Sequence, residues 1–411
     1  MTSRPTTPPR AADPASKKFR TLLPGDPAPW FRERSATNPT FAFDTVGGRY
    51  VLLAFIGSTF DPVGAASKKA LDGMMDLFDP AKIAGFAVSN DPRDEIEKRL
   101  EARPPAFNVF WDQTLHISRL FGSASEDDGG APAFRPVWMI LDPTLRVLAL
   151  FGPPTDEAKA KEIRDLIERL PPPELHGGGQ AHAPVLIIPR VFEPQLCEAL
   201  INHYRHSGGE ESGFMRDIDG KTTLVLDPAH KRRRDANIPD GPLMKAARER
   251  VRRRIAPEIR KAFQFDANRI ERDIVACYSA DDGGHFRAHR DNTTKGTAHR
   301  RFAVSINLNA DFEGGTLSFP EYGSAQYKPP IGGAVVFSCS LLHMAAPVTR
   351  GERFAYLPFL YDDAAAKIRE ANAGFLDATV GGYRDGKAEP ADEPAAPRKA
   401  GFLEDGDKPV I

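Results

Sequence analysis

The chain has 411 residues, of which 41% are hydrophobic and 27% charged, and its formal net charge is −1. This composition is typical of a globular protein with two or three domains, and the near-neutral charge does not favour a protein that coats nucleic acid. Since the sequence contains no long apolar run and no apolar core of a secretory signal, we expect neither a membrane span nor secretion. Its three cysteines lie far apart without a CxxC spacing, which predicts a reducing cytoplasm rather than a disulfide framework.

The first part of the chain alternates between predicted strands and predicted helices. Residues 1–22 are rich in Pro, Thr and Lys and are expected to be disordered. The elements that follow are a strand at 49–57, a helix at 65–79, a strand at 83–91, a helix at 92–104, a hairpin at 135–152 and a helix at 155–170. This alternation predicts an α/β domain over residues 23–170 with a partly parallel sheet. Clustered prolines and glycines predict a linker over 171–184.

The second part of the chain is predicted to place helices before many short strands. A strand and helix over 185–208 and a strongly basic helix over 240–263 belong to a predicted helical support spanning 185–269. The short strands are predicted at 270–279, 300–309, 315–322, 333–345 and 353–362. This order favours a β-sandwich or jelly roll that is buttressed by helices, with its core over 270–363. Residues 364–411 are predicted to be a C-terminal extension that is partly disordered.

The segment GGHFRAHRDN at 283–292 contains residue types that bind metals. Alternate side chains of a strand face the same way, so we expect His289 and Asp291 to project together, with Arg290 opposite. A third ligand is offered by His343, which closes the apolar run GAVVFSCSLLH, an unusual place for an imidazole unless it faces a polar interior site. Two histidines and one carboxylate leave open positions on a metal, which suits non-haem Fe(II) and oxygen chemistry.

Ten residues beyond His343, Arg353 begins another predicted strand. A guanidinium there can hold a carboxylate through two parallel hydrogen bonds, and a metal triad with such a clamp suits a 2-oxo-dicarboxylic acid. The stretches CYSADDGGHFRAHRDN, AVSINLNADFEGGTLSFPEYG and GAVVFSCSLLHMAAPVTRGERF resemble the prolyl-4-hydroxylase-like branch of the Fe(II)/2-oxoglutarate-dependent dioxygenases, over residues 184–363. The resemblance implies a double-stranded β-helix, iron ligands at His289, Asp291 and His343, and a 2-oxoglutarate pocket containing Arg353 and Tyr278.

The same resemblance implies an activity, in which 2-oxoglutarate and O2 are consumed, succinate and CO2 are released, and a substrate is hydroxylated. It implies Fe(2+) as the metal, 2-oxoglutarate and O2 as co-substrates, and ascorbate as an assisting reductant. Since Asp291 fills the position that a halide would need, hydroxylation is favoured over halogenation. The sequence does not identify the substrate, and a protein side chain and a small molecule both remain open.

Several other basic or histidine-containing features have simpler explanations. His285 and His289 are four residues apart, as in helical zinc hydrolases, but Phe286 stands where a glutamate base is expected. We interpret His299 as a solvated loop residue, and the run HKRRRD at 230–235 as a solvated charged face. A nucleic-acid demethylase is suggested only by the basic helix, so nucleic acid is not an expected partner.

The stretches PGDPAPWF and STFDPVGAASKKAL resemble a peroxiredoxin of the thioredoxin superfamily, over residues 23–170. The resemblance places a cis-proline at Pro136. A peroxiredoxin needs a thiolate at the first turn after the strand at 49–57, but that turn reads TFDPVGAAS and the first cysteine of the chain is Cys197. We therefore expect a domain that is silent toward peroxide and serves to bind a protein partner, to dimerise, or to stabilise the oxygenase. A second hypothesis is a redox-sensing or substrate-recruiting protein with a regulatory iron site.

Overall fold

The computed structural model of the chain describes residues 17–126 and 130–380. Most of the stretches predicted to be disordered, at 1–16 and 381–411, lie outside these residues. Leu22 is buried and Phe19 pairs with Ser125, so packing includes positions that we predicted to precede the first domain. Within the described part of the chain, no helix combines the length and the apolar character needed to cross a membrane.

The first part of the chain folds around one central sheet. The strands in this part of the chain are β1 (Arg32–Glu33), β2 (Phe41–Ala42), β3 (Tyr50–Gly57), β4 (Ile83–Ser89), β5 (Phe107–Trp111), β6 (Val137–Leu141) and β7 (Val147–Phe151). Its helices are α1 (Pro62–Asp72), α2 (Pro92–Ile96), α3 (His116–Leu120) and α4 (Glu157–Arg169). The sheet has the order β5-β4-β3-β6-β7, in which β3, β4 and β5 run parallel and β6 and β7 are antiparallel to their neighbours. This confirms the predicted α/β fold with a partly parallel sheet.

Strand β3 is buried along its whole length because both faces of the sheet are covered. Alternate residues of a strand face opposite sides. Val51, Leu53 and Phe55 therefore pack into one apolar cluster, while Leu52 and Ala54 pack into the other. The continuous apolar run in the sequence is thus the signature of a central strand rather than of a helix.

Several local predictions in this domain differ from the structure. Of the helix predicted at 92–104, only the short helix α2 forms, because the chain turns away at Lys98, which has a left-handed φ of 53°. The strand β5 and the five-residue helix α3 were not predicted, since both are too short to show a clear periodicity. The cis-proline predicted at Pro136 is wrong, because the cis peptide bond found among the described residues joins Pro104 to Pro105.

The second part of the chain contains two facing sheets and a layer of helices. Its helices are α5 (Pro194–Ser207), α6 (Pro242–Arg254), α7 (Ala256–Phe263) and α8 (Asp363–Asn372). Its first strands are β8 (Leu186–Ile188), β9 (Glu210–Glu211), β10 (Phe214–Ile218), β11 (Lys221–Val225), β12 (Lys231–Arg232), β13 (Arg234–Asn237), β14 (Arg269–Glu271), β15 (Ile274–Ser279) and β16 (His285–His289). Its later strands are β17 (Phe302–Asn307), β18 (Glu313–Gly314), β19 (Leu317–Ser318), β20 (Gln326–Tyr327), β21 (Ala334–Ser338), β22 (His343–Ala345), β23 (Val348–Arg350), β24 (Glu352–Tyr356) and β25 (Phe359–Tyr361).

The larger sheet has nine strands and includes the path β14-β25-β17-β24-β15-β13-β9, while the smaller sheet has the order β12-β16-β22-β19-β20. One apolar cluster contains residues of both sheets, and a second joins the larger sheet to α5, α6 and α7. Helix α5 shows the reason for this packing, because Cys197, Leu200 and Tyr204 recur at helical spacing and form its buried face. The arrangement confirms the predicted double-stranded β-helix buttressed by helices.

The helical support differs in two details from the prediction. The basic helix expected at 240–263 is two helices, α6 and α7, and Pro257 lies at the start of the second, where its missing N–H removes a bond of a continuous helix. The stretch between α5 and α6, for which no strand was predicted, contains the strands β9 to β13. The hairpin of β10 and β11 turns at Asp219 and Gly220, which both have positive φ.

Candidate active site

The smaller sheet brings the predicted iron ligands together. Strands β16 and β22 are antiparallel neighbours, and His289 lies directly opposite His343 in their register. Asp291 follows β16 by two residues, and its backbone N–H donates to the carbonyl of Cys339 at 2.9 Å. Its carboxylate oxygens lie 3.5 Å from Nε2 of His289 and 3.4 Å from Nε2 of His343. Each of the three residues offers one ligand atom, and these atoms lie within 4.8 Å of one another.

Backbone carbonyls determine which nitrogen of each imidazole faces this cluster. Nδ1 of His289 lies 2.7 Å from the carbonyl of Arg287, and Nδ1 of His343 lies 3.0 Å from that of Leu341. A carbonyl only accepts hydrogen bonds, so each Nδ1 carries the proton in the neutral imidazole. Nε2 of both rings is then left with a lone pair directed at Asp291. This is the tautomer that a metal ligand needs.

The electrostatics of the cluster also fit a divalent metal. Burial, together with the neighbouring His343, lowers the pKa of His289 to about 4, so the His289 ring is neutral at pH 7. Burial alone would raise the pKa of Asp291, but His343 and His289 outweigh it, and this pKa lies well below its usual range. Metal ligands must be deprotonated, and these two groups already are.

A buried arginine lies beside the cluster. Arg353 is 2% exposed, and its guanidinium donates to Oγ of Ser305 at 2.8 Å and to Oδ1 of Asn307 at 3.1 Å. Both acceptors are neutral, so they satisfy hydrogen bonds without neutralising the charge. Tyr278 lies opposite Arg353 across β15 and β24, and both line an internal cavity that reaches the three predicted ligands. The structure thus brings all five predicted site residues to one cavity.

Sequence reasoning missed Arg233, which lines the same cavity. It is buried, donates to the hydroxyl of Tyr278 at 3.4 Å and pairs with Asp235 at 2.6 Å. The interpretation of residues 230–235 as a solvated face is therefore wrong for Lys231 and Arg233. Lys231 and Arg233 are buried while Arg232 and Arg234 are exposed, because side chains alternate along an extended chain.

The interpretation of His299 as a solvated loop residue is also wrong. His299 is fully buried, and its Nε2 makes a short hydrogen bond to the carboxylate of Glu271. Arg300 pairs with the same carboxylate at 2.7 Å and lies 3.4 Å from the backbone carbonyl of Asp291. Glu271, on β14, thus holds His299 and Arg300 in the interior and supports the loop after β16. His285 lies outside the ligand cluster, with Nδ1 held 2.7 Å from the carbonyl of Gly283.

Arg290 stands between two predicted ligands but faces the other domain. It is buried, and its guanidinium lies 3.2 Å from Asp44 of the first domain and 2.9 Å from Glu321. The ring of Trp30, also in the first domain, lies 4.2 Å from the same guanidinium. The predicted orientation of Arg290, opposite to His289 and Asp291, agrees with these contacts.

The first domain has no thiol at the position where a peroxiredoxin carries one. Thr59, in the turn between β3 and α1, is 1% exposed and makes a short hydrogen bond through its hydroxyl to the buried Asp94. The cysteines of the chain are Cys197, Cys277 and Cys339, all beyond this domain, and all three are free and buried.

Two family models match the chain. Residues 274–361 match the 2OG-Fe(II) oxygenase superfamily, and residues 24–149 match the AhpC/TSA family. The second part of the chain therefore contains a 2OG-Fe(II) oxygenase-like domain, and the first part contains an AhpC/TSA-like domain. The oxygenase family implies Fe(2+), 2-oxoglutarate and O2.

Curated relatives resemble part of the oxygenase domain. The PKHD-type hydroxylase PiuC of Pseudomonas aeruginosa is 34% identical over 91 residues, and a PKHD-type hydroxylase of Synechococcus sp. is 30% identical over 89 residues. Each match covers 20% of this chain and 39% of the relative. Among solved structures, a viral collagen prolyl hydroxylase from Paramecium bursaria Chlorella virus-1 is 18% identical, with a TM-score of 0.33, over 43% of this chain and 94% of that one.

Proposed function

We propose that this protein is an Fe(II)/2-oxoglutarate-dependent dioxygenase that hydroxylates a substrate and releases succinate and CO2. The observation that carries the proposal is the cross-strand pair of His289 and His343, whose Nε2 atoms both face Asp291 beside a buried guanidinium. We further propose a division into a first domain at 23–170, a linker at 171–184 and an oxygenase part at 185–363.

In this proposal His289, Asp291 and His343 hold the iron, and Arg353 holds the distal carboxylate of 2-oxoglutarate. Bound Fe(II) would supply the activation of O2 and of the 2-oxo acid. Arg353 suits its role because its two neutral partners fix the guanidinium while its charge remains for an anion. Tyr278 would line the co-substrate pocket, and Arg233 would orient the Tyr278 hydroxyl.

Apolar side chains around the ligands would exclude water and fix the rings. Phe286 stacks on His289 with ring centroids 3.5 Å apart, and Phe337 lies 4.6 Å from the ring of His343. Excluding water strengthens the electrostatic interactions inside the site and shields reactive species from side reactions. The protein's contribution is then orientation and shielding, while the chemistry belongs to the metal and co-substrate.

The remaining parts of the proposal concern reductant, partner and compartment. We include ascorbate as the reductant that keeps the iron ferrous, and a substrate that is either a protein side chain or a small molecule. The cysteine-less first domain would contact a protein partner or the substrate itself. Three free and buried cysteines support a reducing compartment, the cytoplasm.

The test is turnover of 2-oxoglutarate by the purified full-length protein. With Fe(II), ascorbate and 2-oxoglutarate, the wild type should bind one iron and release succinate, and His343→Ala should lose both properties. His285→Ala is the matched control, because this histidine lies on β16 outside the ligand cluster and should leave iron binding intact.

If His343→Ala turns over as fast as the wild type, the ligand assignment is wrong. Iron binding without succinate release would favour a regulatory iron site instead. Mass spectrometry of cell extracts incubated with the enzyme, searched for products heavier by one oxygen, would identify the substrate.

A further inference from the structure

A cleft lies between the two domains and leads to the predicted iron ligands. It has a volume of about 740 Å³, within the range of ligand pockets. Arg32 and Phe41, on β1 and β2 of the first domain, line one side, and Phe214 and Arg287 of the oxygenase domain line the other. His289 lies in the same lining. A substrate that reaches the iron through this cleft must therefore pass the first domain.

Buried contacts fix the two walls of the cleft relative to each other. Arg290 joins them through Asp44 on one side and Glu321 on the other, and all three side chains are buried. Nearer the opening, Arg32 donates to Oγ1 of Thr293 at 3.2 Å. At Gly48 the backbones approach so closely that an added Cβ would lie 2.5 Å from Cβ of Pro320. The first domain is thus a fixed wall rather than a tethered neighbour.

Two of the five carboxylates that line the cleft have cationic partners, and a third is a predicted iron ligand. Asp44 pairs with Arg290 and Asp235 pairs with Arg233, while Asp291 is a predicted iron ligand. Glu210 and Glu211, on the exposed edge strand β9, are the remaining acids of the lining.

Three arginines that line the cleft remain available to bind an anion. Arg32 contacts a hydroxyl, and the guanidinium of Arg216 lies 5.3 Å from the ring of Phe214. Arg287 is exposed on β16, two residues before His289. In the part of the chain that the structure describes, none of these three arginines has a carboxylate within salt-bridge distance. Lys231 is buried at the base of the cleft, where Oγ of Ser212 at 2.7 Å and the carbonyl of Gly213 at 2.5 Å accept its hydrogen bonds.

We propose that the cysteine-less first domain is the second wall of the substrate site, and that the substrate carries a carboxylate bound between Arg32 of that wall and Arg216 and Arg287 of the oxygenase domain. The inference rests on the proposed function, since it assumes that hydroxylation occurs at His289, Asp291 and His343. The carboxylate can belong to an acidic peptide or to a small carboxylated molecule, and both present the same anion to the arginines. Phe41 and Phe214 would contact the apolar part of the same substrate.

The experiment measures binding to the full-length protein loaded with Fe(II) and 2-oxoglutarate without oxygen. The probe is a fluorescein-labelled peptide in which glutamates surround a central proline, and its matched control has glutamines in place of the glutamates. N-acetylglutamate, added as a competitor, represents the small-molecule source. We expect the glutamate peptide or N-acetylglutamate to bind, and the glutamine peptide to bind about tenfold more weakly than its acidic counterpart.

Variants then separate the two walls. Arg32→Glu and Arg287→Glu should each weaken binding of the acidic probe about tenfold, and Arg32→Gln should weaken it less. Arg103→Glu is the matched control, because Arg103 is an exposed arginine of the same domain outside the cleft. It should change binding less than about twofold.

Equal binding of the acidic and neutral peptides, with no binding of N-acetylglutamate, overturns the proposal. Loss of binding in Arg287→Glu but not in Arg32→Glu overturns the role of the first domain. Succinate release by the wild type, and its loss in His343→Ala, report on the proposed function separately. If succinate release is normal while the anion shows no preference, only this inference fails.

Discussion

Arg290 links the predicted iron site to the first domain, and removing its side chain tests whether that link stabilises the fold. The guanidinium contacts Asp44 at 3.2 Å and Glu321 at 2.9 and 3.1 Å, and it also donates to the carbonyl of Ser340. Arg290→Met would retain much of the apolar stem but would remove every one of these hydrogen bonds and the guanidinium over the ring of Trp30.

The expected loss follows from the burial of the partners. Asp44 is 5% exposed and Glu321 is 7% exposed, so the substitution leaves two buried carboxylates without their cation. Breaking a buried pair in this way costs roughly 3–5 kcal/mol, because the remaining charge is neither paired nor well solvated. Arg287→Met, on the strand that ends just before Arg290, is the control, and an exposed position such as this should change the free energy of unfolding by about 0.5 kcal/mol or less.

Urea denaturation followed by tryptophan fluorescence and circular dichroism measures the effect. Two domains need not unfold in one step, so the observable is the midpoint of the first transition that both probes detect. The triple variant Arg290→Met/Asp44→Asn/Glu321→Gln should recover most of the loss, since it leaves no unpaired charge. If Arg290→Met is within about 1 kcal/mol of the wild type, the buried network does not stabilise the domain contact as we argue.

Three further predictions concern the co-substrate, an internal ion pair and the domain contact. Arg353→Met should raise the 2-oxoglutarate concentration for half-maximal succinate release at least about tenfold, because a charge-assisted hydrogen bond contributes roughly 1.5–3 kcal/mol, while the iron content of the purified variant should not change. Asp235→Asn leaves Arg233 and Lys231 buried without their carboxylate, and it should lower the urea midpoint at pH 7. Burial alone would raise the pKa of Asp235, but the neighbouring cations hold it at about 2, below its ordinary value. The stability advantage of the wild type over Asp235→Asn should therefore be complete above about pH 4 and disappear as the pH falls toward 2. An advantage that persists at pH 2 would contradict this. Gly48→Ala should lower the melting temperature more than Gly25→Ala does. Both glycines have φ near +90°, but only at Gly48 would the new Cβ meet the backbone of Pro320. Equal losses of melting temperature would show that backbone strain alone matters.

The convergence of His289, Asp291 and His343 could be predicted because the sequence gives their spacing and the strand period gives their direction. His289 and Asp291 share a face through the two-residue period of an extended chain, and His343 closes a strand that pairs with theirs. The hairpin of β10 and β11 was missed although a signal was present, since an Asp-Gly pair such as Asp219-Gly220 favours a two-residue turn.

Buried charges were the part of the site that sequence alone could not resolve. Whether a basic residue is solvated depends on its partner, and Arg233 owes its burial partly to Asp235 and partly to the hydroxyl of Tyr278, 45 residues away. The same holds for His299, which is buried because Glu271 accepts its hydrogen bond. A charge run shows where cations occur, whereas the fold decides which of them face inward.

The contact between the two domains could not be predicted from a sequence pattern. The partner of Arg290 in the first domain is 246 residues away in the chain, and no local spacing links the two. Only the direction of Arg290, away from the ligands, was predictable.

The fit at Gly48 and Asp44 constrains how this chain can be rebuilt by protein engineers. A peroxidase-active domain transplanted in front of the oxygenase would need an acid to meet Arg290 and a residue without a side chain to pass Pro320. Restoring a thiol within the existing domain, in the turn between β3 and α1, would leave Asp44 and Gly48 unchanged.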